Sequence, residues 1–314
     1  MSFLQTFKTR FARPSRLSNI SQQPILSAQQ IAEWGHELEA YWASLPASQR
    51  LSELALFGDQ SSRFRGQGME YEESRLYQPG DELRHLNWRL MARTGKAFTK
   101  LFQEERQAQW VIILDQRQPM RFATKGQLKV TQGARIAGWL AWIAQQQRVQ
   151  IQAIGLSETV SMTPVIQGMN LYQQTMQALA IPCPPKNNAV EPKLADVLNQ
   201  LKAHWPNGTR VWIISDFADL TESDQAWLTT MNESWHLSAF WVEDPAEIEL
   251  PAKQPLKLQS HHQAWLLDNQ QQSQYQAWAQ PQRDKHQAWL KQAGVDVRRV
   301  QTTDSLQQIL ATEL

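Results

Sequence analysis

From residue 109 to the end of the chain, short apolar runs alternate with amphipathic helical stretches. The runs 110–114 and 211–214 are continuously apolar, which is typical of strands that are covered on both faces. This alternation predicts an α/β fold with a doubly wound, mostly parallel sheet and helices on both faces. In such sheets functional side chains usually lie at the carboxyl ends of the strands, where the strand order reverses.

The sequence predicts three parts. Residues 1–54 form an N-terminal arm and a helix that Ser27 caps. Residues 55–105 are rich in Gly, Arg and aromatic residues with short alternating runs, which predicts a small β-rich segment. Residues 106–314 form the α/β domain, with a hairpin insertion near 246–268.

The composition argues against several classes of protein. The chain has 31 Lys and Arg against 30 Asp and Glu, and this formal net charge of +1 gives no global attraction to nucleic acid or to an anionic membrane. A single cysteine, Cys183, fits a reducing compartment and excludes a disulfide framework. The longest apolar stretch, 134–144, is about half of a membrane span, so we expect no membrane helix and a cytoplasmic protein.

Both central strands end in an aspartate, Asp115 after the first and Asp216 after the second. If the strands are neighbours, about 4.8 Å apart, the two carboxylates lie within reach of one metal ion. Mg²⁺ needs further oxygen ligands, but the loop after Asp115 supplies Arg117 and Pro119 instead of hydroxyls. Three interpretations stay open: a metal site, a guanidinium of Arg117 between the two carboxylates, or aspartates that only cap the following turns.

Other patterns predict less. Residues 92–97 lack the first glycine and the hydroxyl of a phosphate loop, and His261-His262 lacks a helical partner for a metal site. The basic run from Arg84 to Lys100 includes Trp88 and resembles a nucleic-acid strip, but acidic residues flank it on both sides. Internal ion pairing is the interpretation that this flanking favours.

Residues 75–95 read RLYQPGDELRHLNWRLMARTG. This tract resembles the signature of the family known as domain of unknown function 58, which has a Tyr, a Pro-Gly-Asp turn, an Arg, a Trp and an Ala-Arg pair in this order. The resemblance covers roughly residues 55–314. The residues that carry the signature are Arg75, Tyr77, Pro79, Gly80, Asp81, Arg84, Trp88 and Arg93.

The resemblance implies that the α/β part is a von Willebrand factor A-like domain. The metal-ion-dependent adhesion site of such domains has an Asp-x-Ser-x-Ser loop, a Thr and a second Asp. Asp115 and Asp216 match the two Asp positions, Arg117 and Pro119 replace the two Ser, and the Thr position falls near 187–189, where no hydroxyl is present. The resemblance thus implies an incomplete metal site with Arg117 in place of the cation, and no cofactor other than weakly bound Mg²⁺ or Mn²⁺.

Relatives of this kind are commonly encoded beside MoxR-type AAA+ ATPases and other von Willebrand factor A proteins. The resemblance therefore implies an adaptor or co-chaperone with such an ATPase as its partner, and our first hypothesis is a non-enzymatic interaction module of this kind. The balanced charge and the short apolar stretch predict no nucleic acid and no direct membrane span. Two other classes stay open: a metal-dependent hydrolase at the Asp115/Asp216 crevice, and a nucleic-acid binder through Arg84–Lys100. The signature tract either braces the small segment on the α/β domain or contacts a partner.

Overall fold

The structure is a computed structural model. It describes residues 25–50, 70–79, 81–103, 109–124, 126–182, 191–250, 256–259, 264–267 and 269–311. Several residues of the sequence analysis lie outside this described part, namely Gly80, Cys183, 187–189, His261 and His262. The chain forms two compact units, a smaller one of residues 59–108 and a larger one of the remainder.

The described secondary structure follows the predicted alternation. The strands are β1 (Glu70–Leu76), β2 (Phe98–Gln103), β3 (Gln109–Asp115), β4 (Gln150–Leu156), β5 (Val160–Met162), β6 (Arg210–Ser215), β7 (His236–Glu243), β8 (Leu256–Gln259), β9 (Ala264–Leu267) and β10 (Asp296–Gln301). The helices are α1 (Ala28–Ser44), α2 (Trp88–Thr94), α3 (Lys129–Gln147), α4 (Leu171–Leu179), α5 (Leu194–Leu201), α6 (Asp224–Ser234), α7 (Pro245–Ile248), α8 (Asn269–Gln292) and α9 (Leu306–Ala311). None of these helices is both long and apolar enough to cross a membrane.

Six strands of the larger unit form one sheet in the order β10-β7-β6-β3-β4-β5. All neighbours pair in parallel except β4 and β5, which are antiparallel. Chain order runs outward from β3 to one edge and then from β6 to the other, as in doubly wound folds. This confirms the predicted α/β fold, and it places the reversal of strand order between β3 and β6.

The sheet separates two hydrophobic cores, because successive side chains of a strand point to opposite faces. Trp110, Ile112 and Leu114 of β3 join the core that contains α1, α3 and α4. Val111 and Ile113 join the core that contains α5, α6 and α8. The unit is therefore a three-layer sandwich whose middle strands are buried on both faces.

The N-terminal helix α1 begins at the predicted cap. Ser27 accepts a hydrogen bond from the backbone N–H of Gln30, whose side chain accepts one from the backbone of Ser27, and together they form a capping box. Ile31, Trp34 and Leu38 recur at helical spacing and are buried. These three side chains join the same core as α3 and α4, so α1 packs on the larger unit.

Helix α3 lies very close to the sheet. A β-carbon on Gly133 would stand 2.8 Å from Leu114 and 3.1 Å from Ile214, which is closer than side chains tolerate. Glycine at this position lets the first turns of α3 approach the ends of β3 and β6. Lys129, the first residue of the helix, is thereby held above those strand ends.

In the smaller unit, β1 and β2 form an antiparallel pair that includes Leu76 opposite Phe98. The short helix α2 lies between them in sequence. Asn87 caps α2 by accepting a hydrogen bond from the backbone N–H of Leu90, and Gly95 ends it with a φ of 70°.

Candidate functional site

Asp115 lies at the carboxyl end of β3, where the strand order reverses, and is buried. Its Oδ1 accepts hydrogen bonds from the backbone N–H and from Nε of Arg117, each at 3.0 Å. Its Oδ2 accepts from Nη2 of Arg117 at 2.7 Å and from the hydroxyl of Ser215, at the end of β6, at 2.6 Å. Four donors therefore satisfy this carboxylate.

Arg117 holds a second carboxylate, and it is not the expected one. Its Nη2 donates to Oδ1 of Asp219 at 3.1 Å, and its Nη1 donates to Oδ2 of the same residue and to the backbone oxygen of Pro192. The guanidinium thus lies between Asp115 and Asp219, instead of between Asp115 and Asp216 as the sequence suggested. Asp219 occupies this place because the chain turns back toward β3 after β6, which brings a later residue within reach of Arg117.

Asp216 contacts a different cation. Lys129, with 1% of its surface exposed, directs Nζ to Oδ2 of Asp216 at 2.8 Å and to Oε1 of Glu247 at 2.7 Å. The ammonium group is therefore enclosed between two carboxylates. Asp115 and Asp216 lie on neighbouring strand ends, but each has its own cationic partner.

Helix α7 supplies Glu247 through a capping box. The side chain of Asp244 accepts a hydrogen bond from the backbone N–H of Ala246, and Oε2 of Glu247 accepts one from the backbone N–H of Asp244 at 2.9 Å. Asp244 also accepts from the backbone N–H of Thr124 at 2.8 Å. These bonds fix the helix start and leave Oε1 of Glu247 facing Lys129.

Burial and ion pairing shift the pKa values of these groups in opposite directions. Burial lowers the pKa of Lys129, but Asp216 and Glu247 outweigh it, so the pKa is raised above its ordinary value. The pKa of Arg117 is likewise raised, because its two aspartates outweigh burial. Burial raises the pKa of Glu247, whereas Arg117 outweighs burial and lowers the pKa of Asp219. Both cations stay protonated at neutral pH.

A small open cleft lies over these pairs at the end of the sheet. Its volume is about 160 Å³, and its lining consists of Arg117, Pro119, Glu191, Pro192, Lys193, Asp216, Ala218 and Asp219. Pockets that enclose small-molecule ligands typically measure about 300–1,000 Å³. We call this end of the sheet, with the cleft and the two ion clusters beneath it, the crest.

The backbone at the crest is strained at one residue. Phe217 has a φ of 51°, in the left-handed region that favours glycine, and it is buried against Trp241. Its N–H donates to the hydroxyl of Ser215 at 3.0 Å, and the N–H of Ala218 donates to Oδ1 of Asp216 at 3.1 Å. This turn orients Ser215 toward Asp115 and Asp216 toward Lys129.

The carboxylates of Asp115 and Asp216 at the crest already have side-chain cations as partners. Pro119 offers no side-chain ligand, and the described residues contain no group of three or more His, Cys, Asp or Glu side chains that is arranged to hold an ion. The acidic oxygens face Arg117 and Lys129 instead. A divalent cation at this position would be repelled by both groups.

In the smaller unit the signature tract is organised around Asp81. Its carboxylate accepts hydrogen bonds from Nη2 of Arg75 at 2.6 Å, from the backbone N–H of Gln78 at 3.0 Å and from the hydroxyl of Thr99 at 3.1 Å. The N–H of Gln78 and the other donors hold the pKa of Asp81 below its usual value. Arg84, the signature arginine that follows Asp81, pairs with Glu82 and not with Asp81.

Of the other signature residues, some form backbone hydrogen bonds or turns and some expose their side chains to solvent. The backbone N–H of Tyr77 donates to the oxygen of Ala97 at 3.0 Å, and Pro79 lies in the turn before Asp81. Trp88, at the start of α2, is 63% exposed, and Arg93 in its last turn is exposed as well. The described contacts therefore give Arg75 and Asp81 a structural role in the turn. Trp88 and Arg93 are exposed and accessible to a partner.

Sequence reasoning missed four residues of the crest, which are Lys129, Ser215, Asp219 and Glu247. Two of them carried a signal. Lys129 opens an otherwise almost uncharged helix, and Asp244 with Glu247 has the spacing of a capping box. Asp219 and the role of Ser215 depend on the path of the turn at Phe217, for which the sequence gives no comparable signal.

The chain is similar to curated proteins from two mycobacteria and to solved structures. The uncharacterized proteins Mb1516 of Mycobacterium bovis and Rv1480 of Mycobacterium tuberculosis are each 26% identical over 198 residues, which is 62% of this chain and 62% of theirs. The crystal structure of the conserved hypothetical protein BatB from Bacteroides thetaiotaomicron is 14% identical over 65% of this chain and 94% of that one, with a TM-score of 0.43. A von Willebrand factor type A protein from Catenulispora acidiphila is 11% identical over 46% of this chain and 35% of that one, with a TM-score of 0.35.

A sequence profile gives the more decisive comparison. The profile described as protein of unknown function DUF58 matches residues 73–288. The match begins inside the signature tract and runs past both clusters of the crest, so it spans parts of both compact units. On this evidence the chain belongs to the family of proteins of unknown function DUF58.

Proposed function

We propose that this chain is a non-enzymatic protein-interaction module that works as an adaptor or co-chaperone with a MoxR-type AAA+ ATPase. In this proposal the crest is a degenerate metal-ion-dependent adhesion site, in which side-chain cations stand where a metal ion would be. The supporting observation is the ammonium of Lys129, enclosed between Asp216 and Glu247 at 2.8 and 2.7 Å.

The physical argument concerns what a divalent ion would need. Mg²⁺ binds oxygen ligands at about 2.0–2.1 Å in octahedral geometry and usually keeps several waters. Lys129 and Arg117 already neutralise the carboxylates that would serve as ligands, and raised pKa values keep both cations charged. A metal ion that took the place of either cation beside the carboxylates would leave the ammonium of Lys129 or the guanidinium of Arg117 buried without its partner. Such a buried, unpaired charge is strongly unfavourable.

The same features argue for docking and against catalysis. The cleft of about 160 Å³ is smaller than ordinary substrate pockets. Asp115 and Asp219 are paired with Arg117, and Asp216 is paired with Lys129, whereas Glu191 accepts a backbone N–H from Gln118. The described contacts therefore leave Asp115 and Asp216 without the open geometry of a general base or a metal-bound nucleophile. The partner itself follows from the resemblance of the signature tract to a family whose members are encoded beside MoxR-type ATPases. Other von Willebrand factor A proteins are further candidate partners on the same ground.

Binding of the full chain to a purified MoxR-type AAA+ ATPase of the same organism tests the proposal. We expect a complex in which Lys193→Glu, at the exposed rim of the crest, lowers the affinity at least tenfold, about 1.4 kcal/mol. Lys202→Glu is the matched control, because it is exposed just beyond the opposite end of α5. No complex with the native chain would overturn the proposal, and equal loss in both variants would remove the crest as the docking surface.

A calorimetric titration of the native chain with Mn²⁺ tests the second half of the proposal. We expect no saturable binding. Tight binding that Asp115→Ala abolishes would mean that the crest is a working metal site, and Mn²⁺-dependent turnover of a substrate would favour the hydrolase alternative.

A further inference from the structure

Strand β5 is an edge of the six-stranded sheet. It pairs with β4 through Ile154 opposite Met162, Gly155 opposite Ser161 and Leu156 opposite Val160. No strand of the described part of the chain pairs with its other side. Edge strands present backbone groups to solvent, and these groups are templates for pairing with another chain.

The hydrogen-bond register shows which backbone groups are presented. The N–H of Thr163 donates to the oxygen of Ala153 at 3.0 Å. In an antiparallel ladder hydrogen-bonded pairs alternate with pairs that are not bonded, so Ser161 faces β4 as the next bonded residue. The N–H and C=O groups of Val160 and Met162 consequently point away from β4, toward the open edge.

The side chains along this edge are apolar and exposed. Val160 is 38% exposed and Met162 is 41% exposed, and as alternate residues of one strand they lie on the same face of the sheet. Val165 and Met169, which follow β5 in the sequence, are exposed as well, and the latter reaches 90%. Val160 and Met162 are thus neighbouring exposed apolar side chains, and apolar patches that face solvent mark interaction surfaces.

The edge also lacks charge. Residues 159–182 contain no Asp, Glu, Lys, Arg or His, in a chain of which 19% is charged. Natural edge strands are commonly protected by charged side chains, especially Lys, or by proline. The described part of this edge has the short length of β5, three residues, and Pro164 as its protection. Pro164 lies beyond β5 and leaves the backbone of Val160 to Met162 open.

We propose that β5 pairs with β5 of a second copy of this chain and so joins two sheets across a two-fold axis at Ser161. In this register Val160 of each copy lies opposite Met162 of the other, and their outward N–H and C=O groups form four hydrogen bonds. The four side chains cluster on one face, because directly opposite residues of an antiparallel pair share a face. The pairing is self-complementary, as a two-fold interface requires, and the uncharged edge brings no like charges together.

The inference is independent of the proposed function at the crest. A three-residue strand gives a small interface, below the roughly 1,200 Å² of stable complexes. The dimer is therefore a reversible one, populated as the protein concentration rises.

Sedimentation equilibrium of the full chain, from about 1 µM to about 1 mM, tests the inference. We expect a shift from monomer to dimer, accompanied by slower amide exchange at Val160 and Met162 in the concentrated sample. A native chain that stays monomeric over this range overturns the inference. Protection of these amides in a monomer would mean that a segment of the same chain covers the edge.

Two double variants distinguish pairing in the proposed register from non-specific hydrophobic association. In Val160→Lys/Met162→Lys, equal charges face each other across the axis, and we expect dimerisation to weaken at least tenfold. In Val160→Glu/Met162→Lys, opposite charges face each other in the same register, and we expect the dimer to be retained. Both variants remove the same apolar groups, so an equal effect of the two on dimerisation would contradict the register.

Discussion

The crest and the signature tract treat their charged residues in opposite ways. At the crest Asp115, Arg117 and Lys129 are buried, and each has an oppositely charged partner. In the tract the pair Arg75–Asp81 is partly exposed, and Arg93 and Trp88 face solvent. Buried pairs are costly to break, whereas exposed ones contribute little to stability. The difference teaches that substitutions of the buried charged residues of the crest reduce the stability of the fold, whereas substitutions of the exposed residues of the tract leave it nearly unchanged.

The largest expected effect is that of Lys129→Met. Removal of the ammonium leaves Asp216 and Glu247 buried without their cation, and we expect the free energy of unfolding at neutral pH to fall by about 3–5 kcal/mol. Lys193→Met, at an exposed position, is the control and is expected to stay within about 0.5 kcal/mol. Urea denaturation of both variants measures the comparison, and a similar small loss in both would contradict the buried-pair argument.

The pH dependence of that loss follows from Glu247. Burial already raises its pKa in the folded protein, and without Lys129 the pKa rises further. A carboxyl group with a raised folded pKa favours folding at pH below its unfolded pKa, and it loses this contribution as the pH rises through the folded pKa. The deficit of Lys129→Met should therefore shrink toward acid pH, and a deficit that grows below pH 5 would contradict this assignment.

Ser215→Ala should have the next largest effect. The hydroxyl donates to Asp115 at 2.6 Å and accepts from the N–H of Phe217 at 3.0 Å, so its loss leaves two buried groups with one partner fewer. We expect about 1–3 kcal/mol of destabilisation in thermal or urea unfolding. Ser157→Ala, outside the crest, serves as the control, and equal losses in the two variants would count against a special role for the turn.

Metal binding by variants of the crest tests whether Arg117 and Lys129 keep a metal ion away from its carboxylates. Arg117→Ser with Pro119→Ser introduces hydroxyls at the two positions where the adhesion sites of similar domains have Ser. We expect Mn²⁺ affinity to rise at least tenfold, about 1.4 kcal/mol, only when Lys129→Ala is added, because Lys129 otherwise still occupies Asp216. Calorimetric titration of the double and triple variants measures this. Equal affinity in the two would mean that Lys129 does not close the site.

The smallest expected effect on stability belongs to Trp88→Ala. Because this side chain is 63% exposed, the free energy of unfolding should change by no more than about 0.5 kcal/mol. If the tract contacts a partner, affinity for the ATPase falls at least tenfold in the same variant. A large loss of stability with unchanged affinity would identify Trp88 as a brace between parts of the chain.

The sequence was sufficient for the architecture, for Asp115 and Arg117 of one ion cluster and for Asp216 of the other. Apolar periodicity predicted β3 and β6, and their C-terminal aspartates mark the crest. The partners were harder to predict because they depend on the backbone path in three dimensions. Asp219 faces Arg117 only because Phe217 adopts a positive φ, and Lys129 reaches Asp216 only because α3 lies close to the sheet.

The signature tract shows the same limit. The Pro-Gly-Asp turn was recognisable, and Asp81 does accept a backbone hydrogen bond. Its cationic partner is Arg75 and not Arg84, because β1 brings Arg75 opposite Thr99 and beside the turn. Strand pairing decides this contact, and the order of residues in the tract does not specify it.

The absence of a side chain at residue 133 has a consequence for how this family member can change over evolutionary time. A larger residue there would push the first turns of α3 away from Leu114 and Ile214 and carry Lys129 with them. The internal counter-ion thus depends on a glycine one turn further along the same helix. A change of the lysine alone, or of one of its oxygen partners alone, would leave a buried charge with fewer partners, so a lineage can alter these residues at low cost only together.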